Sequence, residues 1–153
     1  MLCLFKILFC THILCHTGIP DEAKINYADI LIEQESWAPS LPKGLAVSVA
    51  AAESKLDHLQ ISHAGAIGIF QIMPIAEKHI NENTGLSFEA KKRLDNIRIG
   101  LLYLEELWGK YRDIPKTLAA YNFGPGNVDA GKPYPKETRD YIQRVGEYRQ
   151  CFL

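Results

Sequence analysis

The chain lacks an excess of charge of either sign. Its 17 lysine and arginine residues nearly balance its 18 aspartate and glutamate residues, which leaves a net charge of −1. Proteins that bind nucleic acid usually present a basic face, so this balance predicts no nucleic-acid partner. The five histidines show no spacing typical of metal ligands, and no cofactor motif occurs. We therefore expect neither a metal nor a cofactor.

Hydrophobic runs and cysteines are scarce except near the N-terminus. The first 14 residues carry one charge, Lys6, which is followed by an apolar run over residues 7–14. This run is shorter than the ~20 residues that a membrane-spanning helix needs. Residues 1–18 are predicted to be a secretory signal peptide, with an uncleaved anchor or a buried N-terminal segment as the alternatives. The prediction implies an exported protein, periplasmic or associated with the cell wall.

Residues 20–153 have the length and composition of a single globular domain. The chain is 47% hydrophobic and 23% charged, which provides both a core and a soluble surface. We find no internal repeat and no convincing alternating strand. Helices are predicted over residues 21–35, 43–56, 74–85, 95–109 and 113–124, with a last helix from about residue 137. The predicted fold is therefore all-α, with glycine-containing loops that leave room for a substrate groove.

Apolar spacing and turn residues support these helices. The first helix contains four apolar residues at helical spacing, Ile25, Ala28, Leu31 and Ile32. The second carries an apolar stripe formed by Leu45, Val49, Ala52 and Leu56. Asp95 and Asp113 are predicted to cap the fourth and fifth helices, and Gly109 and Gly124 are predicted to end them.

Glu53 is the candidate catalytic residue of the second helix. It lies on or beside the apolar stripe, follows three alanines and precedes a polar loop that contains glycine. A carboxyl group held against apolar side chains has a raised pKa, because desolvation penalises its anion. A carboxylic acid that keeps its proton near neutral pH can donate it to a glycosidic oxygen. The alternative is an ordinary solvated or paired glutamate.

Four blocks of sequence then resemble a known family. They are Glu53-Ser54 with Ser62, Gly65-Ala66, Gly68 and Gln71-Ile72-Met73-Pro74; Asn96-Ile97 with Gly100 and Tyr103-Leu104; Ala119-Ala120-Tyr121-Asn122 with Gly124-Pro125-Gly126-Asn127-Val128; and Glu137-Thr138-Arg139-Asp140-Tyr141-Ile142. Together they resemble the lytic transglycosylases of the soluble-transglycosylase type, which are related to lysozyme. The resemblance covers residues 42–149, and four blocks in one order make chance agreement very improbable.

This resemblance implies a lysozyme-like domain that cleaves the β-1,4 bond between N-acetylmuramic acid and N-acetylglucosamine in peptidoglycan. Glu53 would act first as the acid and then as the base. Seven further residues would line the groove around the muramoyl sugar: Ser62, Gln71, Met73, Tyr121, Asn122, Glu137 and Tyr141. Structural roles remain open for several of them. Gln71 can pin its loop, Met73 and Tyr121 can belong to the core, and Glu137 can stabilise the start of its helix.

The sequence also departs from the family pattern. Leu56 and His58 stand where the family often has an aromatic residue and a proline. The stretch before Asn96 is shortened, and Phe123 replaces a small residue, which would narrow the groove near Tyr121. None of these changes affects the proposed acid.

Two other functions are compatible with the sequence. A hydrolase of the same fold, resembling goose-type lysozyme, would need a positioned water and often a second carboxylate. A non-catalytic wall-binding or assembly protein would not need Glu53.

We expect a monomer whose partner is the peptidoglycan glycan strand. Service to a secretion or conjugation apparatus is suggested by analogy alone.

Overall fold

The computed structural model describes residues 21–153, so the predicted signal peptide lies outside the described residues. Seven helices follow one another: α1 Asp21–Trp37, α2 Leu45–Ser54, α3 Pro74–Thr84, α4 Arg93–Tyr111, α5 Ile114–Phe123, α6 Pro125–Asp129 and α7 Lys136–Arg149. Within the described residues no strand forms, although isolated β-bridges join Ile61 to Ile67 and Ile67 to Ile72. The prediction of an all-α fold is confirmed. No helix in the described part is long and apolar enough to cross a membrane.

Helix α2 lies at the centre of the fold and begins and ends within the predicted range. Its first seven residues are all buried, so this part of the helix is covered on every side rather than along one stripe. Its principal neighbour is α7, and α1 also packs against it. Lys55 and Leu56 adopt left-handed backbone conformations, with φ of 56° and 66°, and this turn ends the helix directly after Ser54.

Helix α1 forms as predicted, but the apolar residues that predicted it do not face the core. Ile25, Leu31 and Ile32 are 54%, 41% and 65% exposed. The buried face instead contains Ala23, Asn26 and Ile30. Polar contacts determine this orientation, since Asn26 donates a hydrogen bond of 2.8 Å to the carbonyl of Leu56.

Ion pairs fix α1 against α4. Arg93 bonds to Asp29, and Arg98 contacts both carboxylate oxygens of Glu33 at 2.7 and 3.2 Å. Trp37 donates a third hydrogen bond to Glu33 at 2.9 Å. The two arginines lie on a helix more than sixty residues away along the chain, so apolar spacing within α1 could not reveal these ion pairs.

Helix α4 is longer than predicted at both ends. It begins at Arg93, so Asp95 lies in its first turn, where it accepts a hydrogen bond from the Glu89 amide at 3.1 Å rather than capping the helix. The prediction that Gly109 ends the helix is wrong. One glycine inside a helix costs only about 1 kcal/mol, and α4 continues to Tyr111, where the left-handed Arg112 ends it.

The boundaries of α5 agree with the sequence. Asp113 caps it by accepting a hydrogen bond of 2.8 Å from the Lys116 amide, and Gly124 ends it. A further short helix, α6, was not predicted. Pro125 starts it, because a proline at the first position of a helix forfeits no internal hydrogen bond.

Candidate active site

Glu53 is half-buried near the C-terminal end of α2. Burial raises the pKa of its carboxyl from 4.5 to about 7, while the Tyr141 hydroxyl and the positive charge of Arg144 lower it to a smaller extent. The predicted direction of the shift and its cause, desolvation, are therefore confirmed. Arg144 is exposed to solvent, so its charge is screened and does not restore a normal acidity.

Tyr141 brings a buried hydroxyl to Glu53 from α7. The residue is 1% exposed, and within residues 21–153 its hydroxyl oxygen makes no hydrogen bond of normal geometry. It nevertheless lies near enough to Glu53 to lower the pKa of that carboxyl. Burial, followed by the Glu53 charge, holds the tyrosine's own pKa well above its usual value. Tyr141 is therefore a protonated donor beside the acid.

Tyr121 approaches Glu53 from the end of α5. Its hydroxyl donates a hydrogen bond of 2.8 Å to the carbonyl of Phe70, and its ring lies 5.5 Å from that of Tyr103. Burial and the nearby Glu53 charge keep its pKa well above the usual value. Its hydroxyl is thus already used to hold the loop that follows α2. We expect the ring, rather than the hydroxyl, to face substrate.

The loop between α2 and α3 is fixed by polar side chains of its own and of the last residue of α2. Ser54 donates to the Ile69 carbonyl at 2.8 Å, which holds the loop against the end of α2. Ser62 accepts a hydrogen bond from the Ala66 amide at 2.9 Å. Gln71 donates to the carbonyls of Gln60 and Gly68 at 3.1 and 2.9 Å. The structural alternative for Gln71, pinning of its loop, is therefore present, and its amide oxygen remains for a substrate contact.

Two glycines allow this loop to lie close to α4. A Cβ atom at Gly68 would come within 2.6 Å of the Asn96 amide nitrogen, and one at Gly100 within 2.2 Å of the Phe70 ring. Asn96 accepts from the Phe70 amide at 3.0 Å and donates to the carbonyl of Ile67 at 2.8 Å. Asn96 occurs in the second matched block, but nothing in the sequence indicated that it supports the loop.

The other predicted residues lie just before α3, at the end of α5 and in the first turn of α7. Met73 directly precedes α3 and is 39% exposed, so it is not a core methionine. Glu137 is exposed in the first turn of α7. Asn122 accepts a hydrogen bond of 2.8 Å from Thr138, which joins the end of α5 to the start of α7. Tyr121 and Tyr141 lie near the acid, since the charge of Glu53 contributes to the raised pKa of each tyrosine.

The site is therefore a half-buried acid with two tyrosines near it, on a central helix of an all-α domain. Comparison with known proteins identifies the family. Residues 30–143 match the transglycosylase SLT domain family, and the chain belongs to that family. It is 32% identical over 130 residues to a Haemophilus influenzae protein named as a soluble lytic murein transglycosylase. That alignment covers 71% of this chain and 22% of the relative.

Solved structures show the same fold. The 70 kDa soluble lytic transglycosylase from Escherichia coli matches with a TM-score of 0.72 and 26% identity over 82% of this chain and 24% of its own. The lytic transglycosylase Slt of Pseudomonas aeruginosa, solved as an inactive variant, matches with a TM-score of 0.70 at 24% identity, over 80% of this chain and 23% of its own. The chain thus spans less than a quarter of the relatives it matches.

Proposed function

We propose that the protein is a lytic transglycosylase that cleaves peptidoglycan between N-acetylmuramic acid and N-acetylglucosamine, with Glu53 as acid and base. The observation that carries the proposal is the pKa of Glu53, raised by burial to about 7. Such a group is protonated to a substantial degree near neutral pH and can donate its proton, yet it remains basic enough to recover one. Relatives named as lytic transglycosylases support the same activity.

The reaction needs one group to act twice. Glu53 protonates the bridging oxygen as the bond from C1 of the muramoyl sugar breaks, and the N-acetyl group of that sugar supports the positive charge that develops. The Glu53 carboxylate then removes the proton of the C6 hydroxyl, and O6 bonds to C1. The product carries a 1,6-anhydro ring and no water is consumed. Since O6 belongs to the reacting sugar, its attack has a small entropic cost.

The surroundings of Glu53 favour this reaction over hydrolysis. An inverting hydrolase places a second carboxylate about 6.5–9.5 Å from the acid. Among the described groups that shift the pKa of Glu53, none is a carboxylate. Asp57, the closest candidate in sequence, is exposed and accepts a hydrogen bond of 2.9 Å from the Leu59 amide. Asp57 is therefore a solvated side chain that stabilises a local turn after the helix, which agrees with the solvated role that its position predicts.

We propose the groove from the residues that the family resemblance predicts and from their positions in the fold. The Tyr121 ring contacts the muramoyl sugar at the acid, whereas Tyr141, which is buried, acts on Glu53 rather than on the sugar. Ser62, Gln71 and Met73 form one side of the groove, and Asn122 and Glu137 form the other. One related structure, of the 70-kDa soluble lytic transglycosylase, is a complex with bulgecin A. Chemical shift changes at Glu53, Tyr121 and Tyr141 on addition of bulgecin A would test this assignment without any measurement of turnover.

The proposed substrate lies outside the cytoplasm, so the proposal includes export. The apolar run after Lys6 predicts a signal peptide, so the mature chain should begin near residue 18 to 20. The intact mass of protein recovered from the periplasm after expression of the full chain tests this step. A full-length mass, or a chain found only in the cytoplasm, would refute export while leaving the assignment of Glu53 unaffected.

The activity itself is tested by digestion of purified peptidoglycan. We expect wild-type protein to release muropeptides and Glu53→Gln to release none above background, with Glu35→Gln as the matched control. Glu35 is an exposed glutamate on α1. If wild-type protein releases no muropeptides, the proposed activity is refuted. If all three proteins also bind peptidoglycan equally, the result would instead support a wall-binding protein.

A further inference from the structure

Three aromatic side chains form a row that leads from the acid through α4 to α3. Tyr121 of α5 lies near Glu53, and its ring centre is 5.5 Å from that of Tyr103 on α4. The Tyr103 ring centre is in turn 6.2 Å from that of His79 on α3. We call Tyr121, Tyr103 and His79 the aromatic row. It joins the candidate active site to two helices on which the sequence predicted no site residue.

The Tyr121 ring depends on Tyr103 for part of its position. The Tyr121 hydroxyl is held by the carbonyl of Phe70 at 2.8 Å, and its ring meets the Tyr103 ring at an angle of 47°. Tyr103 has no such polar anchor, because its hydroxyl makes no hydrogen bond within residues 21–153. The half-buried Tyr103 ring is therefore positioned by packing, against the core and against its two neighbours in the row.

His79 contacts two residues that lie one turn apart on α4. Its Nε2 atom is 2.8 and 2.9 Å from the two carboxylate oxygens of Glu106, and its ring meets the Tyr103 ring edge-on at 75°. Tyr103 and Glu106 are three residues apart, so they share one face of α4. The Asn83 amide nitrogen lies 3.1 Å from the same His79 nitrogen. Glu106 thus fixes the imidazole that packs against Tyr103.

Glu106 is the charged partner of His79. The helix packed against α3 is α4, and its ionisable groups at His79 are Glu106 and Tyr103. Burial, followed by the Glu106 charge, raises the pKa of Tyr103, so the tyrosine stays uncharged. On α3 itself, Lys78 and Glu82 pair with each other at 3.7 Å. A proton on His79 therefore places a positive charge against the Glu106 carboxylate, and its loss leaves a weaker, neutral hydrogen bond.

We propose that His79 and Glu106 are positioning residues, which hold the Tyr121 ring in place for substrate through Tyr103 and hold it more firmly when His79 is protonated. This inference rests on the proposed function, in which the Tyr121 ring contacts the muramoyl sugar. A histidine changes its charge between about pH 5 and 8. The attraction between His79 and Glu106 is present at the acid end of this range and is lost as pH rises. The groove should therefore bind a glycan more weakly at the alkaline end.

Binding of a neutral glycan to Glu53→Gln protein tests the proposal, because this variant removes the titration of Glu53 itself. The probe is the hexamer of N-acetylglucosamine, which has no ionisable group. We expect its Kd to rise about 2- to 5-fold between about pH 5.5 and about pH 8, the range for one half-exposed ion pair. When His79→Gln or Glu106→Gln is added to Glu53→Gln, the Kd should have the weaker value at both pH values.

The matched control is Glu22→Gln in the same protein. Glu22 makes the other histidine–glutamate contact of the described residues, at 2.7 Å to His58, and this contact lies outside the aromatic row. The pH dependence of Kd should therefore remain in the control. Three outcomes would overturn the proposal: no binding of the hexamer, a Kd that does not change with pH, or a pH dependence that survives His79→Gln.

An NMR titration without ligand separates this inference from the proposed function. The ring contact of His79 is with Tyr103, so a response at Tyr121 reports a change that passes through Tyr103. In Glu53→Gln protein with ¹³C-labelled aromatic rings, we expect the Tyr121 signals to shift with the same midpoint as those of His79, and His79→Gln should abolish the shift. Tyr121 signals that do not follow His79 would overturn the inference. A wild-type protein that cleaves no peptidoglycan would refute the proposed function and leave this result unaffected.

Discussion

Two partly buried glutamates in this molecule have opposite acidities. Glu33, on α1, contacts Arg98 through both carboxylate oxygens and accepts a hydrogen bond from Trp37. Its pKa is lowered, chiefly by the hydrogen bond with Arg98. Glu53, on α2, has no comparable cation against it, and its pKa rises to about 7. Burial raises the pKa of both carboxyls but dominates only at Glu53, so the difference comes from the stronger desolvation of Glu53 and from the arginine that contacts Glu33.

The comparison distinguishes a structural acid from a reactive one. Between α1 and α4 the charges are matched, and they hold two helices together that are distant in sequence. At the α2 end, Tyr141 and Tyr121 lie near the acid, and the exposed guanidinium of Arg144 lowers its pKa only to a smaller extent. A matched charge stabilises the fold but cannot give up a proton near neutral pH, whereas Glu53 can.

The largest effect should come from Glu53→Gln. The amide keeps the shape of the side chain but has no acidic proton to donate, so turnover on peptidoglycan should fall at least ~100-fold. Circular dichroism and thermal melting should show an intact fold. Glu33→Gln, measured in parallel, should retain turnover per folded molecule. Near-normal turnover in folded Glu53→Gln would end the assignment of this residue as the acid.

The same two substitutions should change stability in opposite directions at pH 8. The folded state binds a proton at Glu53 more tightly than the unfolded chain does. The free energy of unfolding therefore falls as pH rises from about 4.5 through about 7. Glu53→Gln removes this penalty and should stabilise the protein by about 1–3 kcal/mol at pH 8, and by little at pH 4.5. Glu33→Gln breaks a charged contact and should destabilise it by about 1–3 kcal/mol at pH 8.

Urea unfolding at the two pH values measures both effects. The control is Glu35→Gln, because Glu35 is exposed and surface substitutions usually change stability by less than about 0.5 kcal/mol. Destabilisation by both Glu33→Gln and Glu53→Gln at pH 8 would mean that Glu53 is a second structural acid.

A smaller effect should follow from Tyr141→Phe. The Tyr141 hydroxyl lowers the pKa of Glu53, so its removal should raise that pKa further. Activity falls as pH rises through the pKa of the acid, and this limb should move to higher pH by less than about one unit. Tyr27→Phe, on α1, is the matched control. A limb that stays in place, or that moves to lower pH, would show that Tyr141 does not act on Glu53.

The sequence predicted the chemistry of Glu53 better than it predicted its partners. Apolar residues around position 53 and the absence of a neighbouring cation were enough to predict a raised pKa. Arg144 and the buried hydroxyl of Tyr141 come from α7, and only the folded chain brings them to α2. The family resemblance predicted Tyr141 as a groove residue but did not indicate that its hydroxyl is buried.

Helix α1 also shows what the sequence alone could not predict. Its spacing predicted a helix correctly, yet Ile25 and Ile32 face solvent while Asn26 is buried. Periodicity identifies which residues share a face, but the partners on other helices decide which face is covered. The contacts of Asn26 with Leu56 and Arg93 are long-range and cannot be inferred from the spacing within α1.

The most direct test of the account is the chemistry of the cleaved ends. The proposal requires O6 of the muramoyl sugar to attack C1, so the product should carry a 1,6-anhydro ring, one water lighter than a reducing end. We expect mass spectrometry of peptidoglycan digested in ¹⁸O-labelled water to show anhydromuropeptides without label. Reducing muropeptides that carry ¹⁸O would contradict the account and would make the protein a hydrolase with Glu53 as its acid.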